Sequence, residues 1–183
     1  MAFARPKKPR EPLGEAALFD YAVATLARRM RTVRDLKRLM RTRAEEGEPG
    51  ERAMDRVVSR LKDLNYLSDT RFAADYTRLR KENEKFGRRR VQQDLAHKGI
   101  HKDLIASTLA TAYDDIDELA LAREYIARKR IKRPEGVDAK KQAARITGRL
   151  MRAGFSAGTV FKLLRTWDVE VDDIEEPVPD DEA

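Results

Sequence analysis

The chain has 183 residues, 41% of them apolar and 39% charged, and its 39 lysines and arginines stand against 32 aspartates and glutamates for a formal charge of +7. Such a balance suits a helical protein with a thin core, long enough for one ordinary domain or several small modules. The absence of cysteine excludes a disulfide framework, a thiolate zinc site and a cysteine nucleophile. No apolar run approaches the roughly 18 residues of a membrane span, and MAFARPKKPREPLG lacks the apolar core of a secretory signal, so a cytoplasmic protein is expected.

Residues 1–12 hold three prolines and four bases without helical period and are expected to form a disordered basic arm. From Leu13 the pattern changes. Ala17, Leu18, Tyr21, Ala22 and Leu26 make the apolar stripe of a first helix, which runs out in Arg28, Arg29 and Arg31. Thr32 is a candidate N-cap for a second, with Val33, Leu36, Leu39 and Met40 turned inward and Arg34, Lys37, Arg38, Arg41 and Arg43 outward. Gly47, Pro49 and Gly50 make residues 44–50 a turn, after which Met54, Val57, Val58 and Leu61 recur at helical spacing until near Asn65. Residues 13–67 are thus a three-helix unit.

A second unit, residues 68–113, opens with Ser68 or Asp69 as cap. Phe72, Ala73, Tyr76 and Leu79 mark its first helix, Val91 and Leu95 its second, and Leu104, Ile105, Thr108, Leu109 and Ala112 its third. Lys98 and Gly99 close the middle helix, with a cation in the last turn and a glycine able to turn left-handed. In residues 114–167, Asp114 or Asp115 is expected to cap a longer helix carrying Ile116, Leu119, Ala120 and Ile126 and ending before Pro134. Val137 to Arg152 follows, with Ala143, Ile146 and Leu150 on one side, and Val160, Leu163, Leu164 and Trp167 close the last helix.

Leu95-x3-Gly99-Ile100-x4-Ile105-x3-Leu109 superposes on Leu150-x3-Gly154-Phe155-x4-Val160-x3-Leu164 position for position, an internal repeat whose first copy has a longer turn at Gly47 and Gly50. A three-helix unit this small has little core of its own, so neighbouring units should lean on one another. The expected fold is all-α: three tandem three-helix repeats forming an elongated, curved body. Residues 168–183 hold nine acids and no base and are expected to be a disordered acidic tail, which leaves residues 1–167 with 39 bases against 23 acids, or +16. That tail either aids solubility or competes for the basic surface of the body.

The stretch Phe86 to Ile100, with Arg90-Val91, Asp94-Leu95 and Lys98-Gly99-Ile100, follows Phe72-Ala73-Ala74-Asp75-Tyr76-Thr77, Arg80 and Gly87 in one register. This string resembles the core signature of RecX, the bacterial regulator of the RecA recombinase. Asp94 is a conservative departure, since family members more often carry glutamate there. The resemblance implies tandem three-helix units in an extended arc over roughly residues 15–167. It also implies a protein that binds RecA and its nucleoprotein filament and restrains strand exchange, ATP hydrolysis and coprotease activity in DNA repair and the SOS response, by lying in the filament groove or blocking extension at its end.

Independent of that resemblance, the chain has no GxxxxGK[ST] phosphate loop, no GxGxxG and no GxSxG elbow, so no enzyme, no cofactor and no metal site is expected. His97 and His101 stand four apart, but Gly99 breaks the helix between them, which makes solvated or turn-packing roles the better account than metal ligation. The basic clusters carry more information. Residues 28–43 hold eight bases and one acid, and residues 123–152 hold eleven bases and three acids. The residues singled out for a partner or nucleic acid are Lys85, Phe86, Arg88, Arg89, Arg90 and Lys98 in the second unit. In the third they are Arg128, Lys129, Arg130, Lys132, Arg133, Lys140, Lys141, Arg145, Arg149 and Arg152. Aligned along stacked units they make a stripe suited to phosphates or carboxylates; the alternative is a solvated face with no partner. Phe72, Tyr76, Phe155 and Trp167 fit core packing better than base stacking, whereas Phe86, in a basic loop, is a contact candidate. The partners expected are RecA, the RecA–DNA filament and single- or double-stranded DNA, with no membrane and a monomeric protein. The rival reading is a free-standing helical protein that holds the DNA phosphate backbone through its basic stripe.

Overall fold

The computed structural model describes residues 11–167, so the expectations for residues 1–10 of the arm and for the acidic tail lie outside the described residues. Among the described residues there are nine α-helices and no strand, as the all-α reading requires: α1 Glu15–Arg28, α2 Val33–Arg41, α3 Glu48–Asp63, α4 Asp69–Glu84, α5 Arg88–His97, α6 Lys102–Tyr113, α7 Glu118–Lys129, α8 Ala139–Arg152 and α9 Ala157–Arg165. Their starts follow from side-chain caps. Thr32 accepts from the Asp35 amide at 3.1 Å, Ser68 from Arg71 at 3.2 Å and Ser156 from Thr159 at 3.3 Å. Each satisfies one of the amides a helix N-terminus leaves without a partner.

Local differences from the expectation have physical causes. Residues 44–50 are not wholly a turn, because α3 begins at Glu48: Gly47 supplies the left-handed corner at φ 81°, and Pro49 sits in the first turn, where no amide is needed. Gly50 is helical and buried, and a Cβ there would stand 1.8 Å from the Glu45 carbonyl oxygen. The cap of α7 is Asp117, three residues past Asp114, with its carboxylate accepting from Leu119 at 2.9 Å. The buried line of α7 is accordingly Leu121, Ala122 and Tyr125. Leu79 is 45% exposed, and the buried position on that part of α4 is Thr77. Ala17 is exposed, and Phe19 lies half-buried instead, with the Arg60 guanidinium 4.2 Å from its ring centre. The eighth helix starts at Ala139 rather than Val137, which is fully exposed.

The chain divides into two compact units: one runs to Phe72 and takes in Lys98–Ile100, and the other comprises Ala73–His97 and continues from His101. In the first, α1, α2 and α3 pack mutually around Leu18, Leu36, Met40, Met54, Val57 and Leu61. The start of α2 is tied to two other segments of that unit. Thr32 Oγ1 donates to the Lys98 carbonyl at 2.9 Å, the Val33 amide donates to Asp69 Oδ1 at 2.9 Å, and Arg34 lies over Gly99 so closely that a Cβ there would meet it at 2.5 Å.

In the second unit α7 and α8 pack against α9 around Leu121, Tyr125, Leu150, Phe155, Val160, Leu163 and Leu164, and α5 packs on α6. The loop between α4 and α5 meets the turn between α8 and α9 backbone to backbone. Gly87 donates to the Ala153 carbonyl at 2.9 Å and Arg89 to the Gly154 carbonyl at 3.3 Å. A Cβ on Gly87 would stand 2.3 Å from the Gly154 oxygen, and one on Gly154, at φ 94°, would stand 2.3 Å from the Arg90 nitrogen. Tyr113 closes the same corner by donating to the Phe86 carbonyl at 2.8 Å, and burial pushes its phenol well above the usual range.

These close approaches generate a test with an internal control. Gly154→Ala adds a methyl group against backbone at a left-handed position and should destabilise the protein by about 2 kcal/mol or more. Gly158→Ala, in α9 with nothing within 4 Å of the new atom, should be neutral or stabilising by about 0.5 kcal/mol. Urea melts of the two variants beside the parent protein read both effects.

Candidate functional site

The cationic residues of the second unit fall into two groups, at the start of α5 and along α7, α8 and the segment between them. Arg88, Arg89 and Arg90 occupy the first turn of α5, which holds no acid. Three cations at a helix N-terminus oppose the macrodipole, each at a cost of about 0.3–1 kcal/mol, so local helix stability does not explain them. The backbone contacts of Gly87 and Arg89 with the α8–α9 turn hold the helix start in place regardless. Arg88 is exposed and has no ion-pair partner among the described residues. The charge of Arg89 acts on Glu118. Arg90 is engaged, pairing with Asp94 at 3.2 Å and lying 5.8 Å from the Phe86 ring centre, while Asp94 also accepts from Tyr76 at 3.0 Å.

Phe86 is half-buried, with its ring centre 6.3 Å from that of Tyr125, so its packing contacts face the core of its own unit. Lys85, left-handed at φ 58°, pairs with Glu124 at 2.7 Å. Lys129 and Arg128 share Glu84, at 2.9 and 4.0 Å. The Lys129 hydrogen bond holds the Glu84 carboxyl below the usual range, outweighing a small desolvation. Arg130 ends α7 in the left-handed conformation and is exposed; Lys132 is exposed, and Arg133 donates to the Trp167 carbonyl at 2.6 Å.

On α8 the arrangement is simpler. Lys141, Arg145, Arg149 and Arg152 are spaced 4, 4 and 3 residues apart and so share one face, opposite the buried Ala143, Thr147 and Leu150. All four are exposed, α8 contains no acid, and none of the four has an ion-pair partner among the described residues. Gly148 falls on the same face and lowers its profile. Lys140 is exposed beside it.

The cluster of residues 28–43, in the first unit, is different in kind. Lys37 pairs with Asp55, Arg41 with Glu51 at 2.7 Å and Arg38 with Asp35 at 3.5 Å, and Arg43 stacks 5.5 Å from the Tyr21 ring centre. Much of its charge is neutralised internally. Lys98, also in the first unit, is half-buried with Nζ 5.8 Å from the Phe72 ring centre. Equal base counts therefore conceal unequal availability. The two histidines do not converge: His101 caps α6, its Nδ1 accepting from the Asp103 amide at 3.4 Å, and among the described residues no group of three or more potential ligands could hold a metal.

One acid that the sequence does not mark organises the corner beside α5. Glu118, in the first turn of α7, accepts from the Ser156 amide at 2.9 Å, from Ser156 Oγ at 2.5 Å and from Thr159 Oγ1, so a carboxylate of one helix caps the start of α9. Desolvation pushes this carboxyl up, but the Ser156 and Thr159 hydrogen bonds and the Arg89 charge outweigh it, and the net shift is downward. A carboxyl depressed in the folded state stabilises the fold above its ordinary value of about 4.3, and that stabilisation is lost as pH falls through the lower folded value. Glu118→Gln should therefore cost about 1–2 kcal/mol at neutral pH, with the gap to the parent protein closing below about pH 4 in urea melts.

No helix among the described residues is long and apolar enough to cross a membrane. A family model described as the second three-helix domain of RecX matches residues 68–109. The regulatory protein RecX of Mycobacterium sp. (strain KMS) is 30% identical over 158 residues, covering 82% of this chain and 81% of the relative. That of Streptomyces coelicolor is 29% identical over 157 residues, 86% and 79% of the two chains. The crystal structure of RecX from Lactobacillus salivarius superposes with a TM-score of 0.63 at 18% identity, covering 84% of this chain and 96% of that one, which shows a common fold. With a helical fold shared with a solved RecX and near full-length relatives bearing that name, the chain belongs to the RecX family of regulatory proteins.

Proposed function

We propose that the protein binds the RecA recombinase and its nucleoprotein filament and restrains filament activity by occupation rather than by chemistry. The observation that carries this reading, beside family membership, is a cationic surface built at a local cost. Arginines sit at a helix start that disfavours them, and an acid-free face of α8 displays Lys141, Arg145, Arg149 and Arg152. Side chains of this type recognise carboxylates or phosphates through charge-assisted hydrogen bonds. No nucleotide-binding loop or catalytic constellation accompanies them in the sequence. Three modules with boundaries near residues 67 and 113 are the organisation in which we read the chain, and residues 85–90 and 128–152 are the contact segments of the second and third.

A second reading is favoured by the α8 face alone: a surface of unpaired cations holds bare DNA by releasing counterions, with affinity that falls steeply with salt. Titration with assembled filaments and with bare DNA across a salt series separates the two. Tighter binding to the filament at every salt concentration supports the regulator; equal affinity for both overturns it.

Two outcomes are expected with purified components. The protein should slow the DNA-dependent ATPase of RecA while hydrolysing no nucleotide itself, and hydrolysis by the isolated protein, or an unaffected RecA at saturation, would sink the proposal. Arg88→Glu combined with Arg145→Glu should weaken filament binding by about tenfold or more. The melting behaviour should stay within about 0.5 kcal/mol, because both side chains are exposed and outside the core. Arg90→Glu is a poorer probe, since it would set a carboxylate beside Asp94.

A further inference from the structure

The molecule neutralises its other cationic helices from within. Acids of α3 answer the bases of α2, and Glu84 and Glu124 answer Arg128, Lys129 and Lys85. The face of α8 is the exception, with four exposed cations over three turns and no acid on the helix. At the same time nine of the chain's 32 acids fall in residues 168–183, DVEVDDIEEPVPDDEA, without a single base.

We propose that residues 168–183 seat intramolecularly along the Lys141–Arg145–Arg149–Arg152 face of α8, so that the chain carries its own competitor for that surface. The exit point of the segment supports this. Trp167 is the last described residue, and its carbonyl accepts from Arg133, which lies in the segment that leads directly into α8. The acidic segment therefore begins close to the helix it would cover. The face from Lys141 to Arg152 is about 16 Å long at 1.5 Å per residue. Sixteen residues of extended chain reach up to about 50 Å, so the distance is spanned with length to spare. Asp172, Asp173, Glu175 and Glu176, five to nine residues beyond Trp167, fall where the face begins.

The physics sets how strong such a contact is. A short tether holds the acids at an effective concentration in the millimolar range, so even weak pairing keeps the face occupied. The pairs stay solvated and are screened over about 10 Å at 0.1 M salt and about 3 Å at 1 M, so the contact loosens as salt rises. An external polyanion or acidic surface has to displace the segment. A partner that engages α8 together with other residues does so more readily than one that offers charge alone.

The chain has no cysteine, which permits a single label. Val178→Cys in the full chain, carrying a nitroxide, should broaden the backbone amide signals of Lys141 to Arg152 by about twofold or more at about 0.1 M salt. Those signals should recover at about 1 M salt, where screening shortens the reach of each charge. They should also recover at the lower salt when Lys141, Arg145 and Arg149 are replaced by Gln, a change whose effect on the fold the same spectrum reports. Broadening that is insensitive to salt and to the Gln substitutions, or that centres on Arg88 to Arg90, overturns the proposal. Because the measurement uses neither recombinase nor DNA, its failure leaves the reading of the partner standing, and the failure of that reading leaves this contact intact.

Discussion

The second compact unit depends on a contact made almost without side chains. Gly87 and Gly154 bring two backbone segments so close that neither position has room for a Cβ, and the amides of Gly87 and Arg89 are satisfied by carbonyls of the α8–α9 turn. Two constraints act together at Gly154, a left-handed φ and a backbone neighbour, so glycine is required there twice over. The start of α5 is thereby fixed by hydrogen bonds rather than by its own sequence. The three arginines of its first turn can then serve something other than helix stability. In the first unit the start of α2 is secured in a related manner, against Lys98, Gly99 and Asp69, but with side chains taking a larger share.

The same logic separates structural from available charge. Arg90, Lys129 and Lys37 each have a carboxylate partner, and their charge is committed to the fold. Exposed pairs of this kind contribute little to stability, roughly 0–1 kcal/mol each, yet they reduce the field a partner meets. Arg88 and the cations of α8 have no such neighbour among the described residues, and the field is strongest where they lie. Base counts along the sequence are nearly even between the first and third clusters; only the third dimension shows which bases are answered by acids.

Much of the fold was legible because helix signals are local. Thr32 was identifiable as a cap from its position before an apolar stripe, and Gly99 and Gly154 as turns from the matched spacing around them. The exceptions came from tertiary packing. Gly50 sits in a helix because another backbone lies against it, and Leu79 is exposed while Thr77 is buried because the inward face of α4 is set by its neighbours. The composition of the candidate site was legible in the same way, from runs of arginine and lysine. Its organisation was not. Glu118 meets Ser156 and Thr159 some forty residues away, Phe86 turns out to be half-buried beside Tyr125, and ion pairing joins residues that no periodicity connects.

Trp167, the chain's single tryptophan, packs half-buried against the core of the second unit, with its carbonyl held by Arg133. The first unit has tyrosines but no tryptophan. Emission excited selectively at the indole therefore belongs to one half of the molecule, while circular dichroism averages over both. If the two signals change together on unfolding, the halves melt as a single cooperative system; if the indole signal moves alone, the protein has two separable stabilities, and no one free energy describes it.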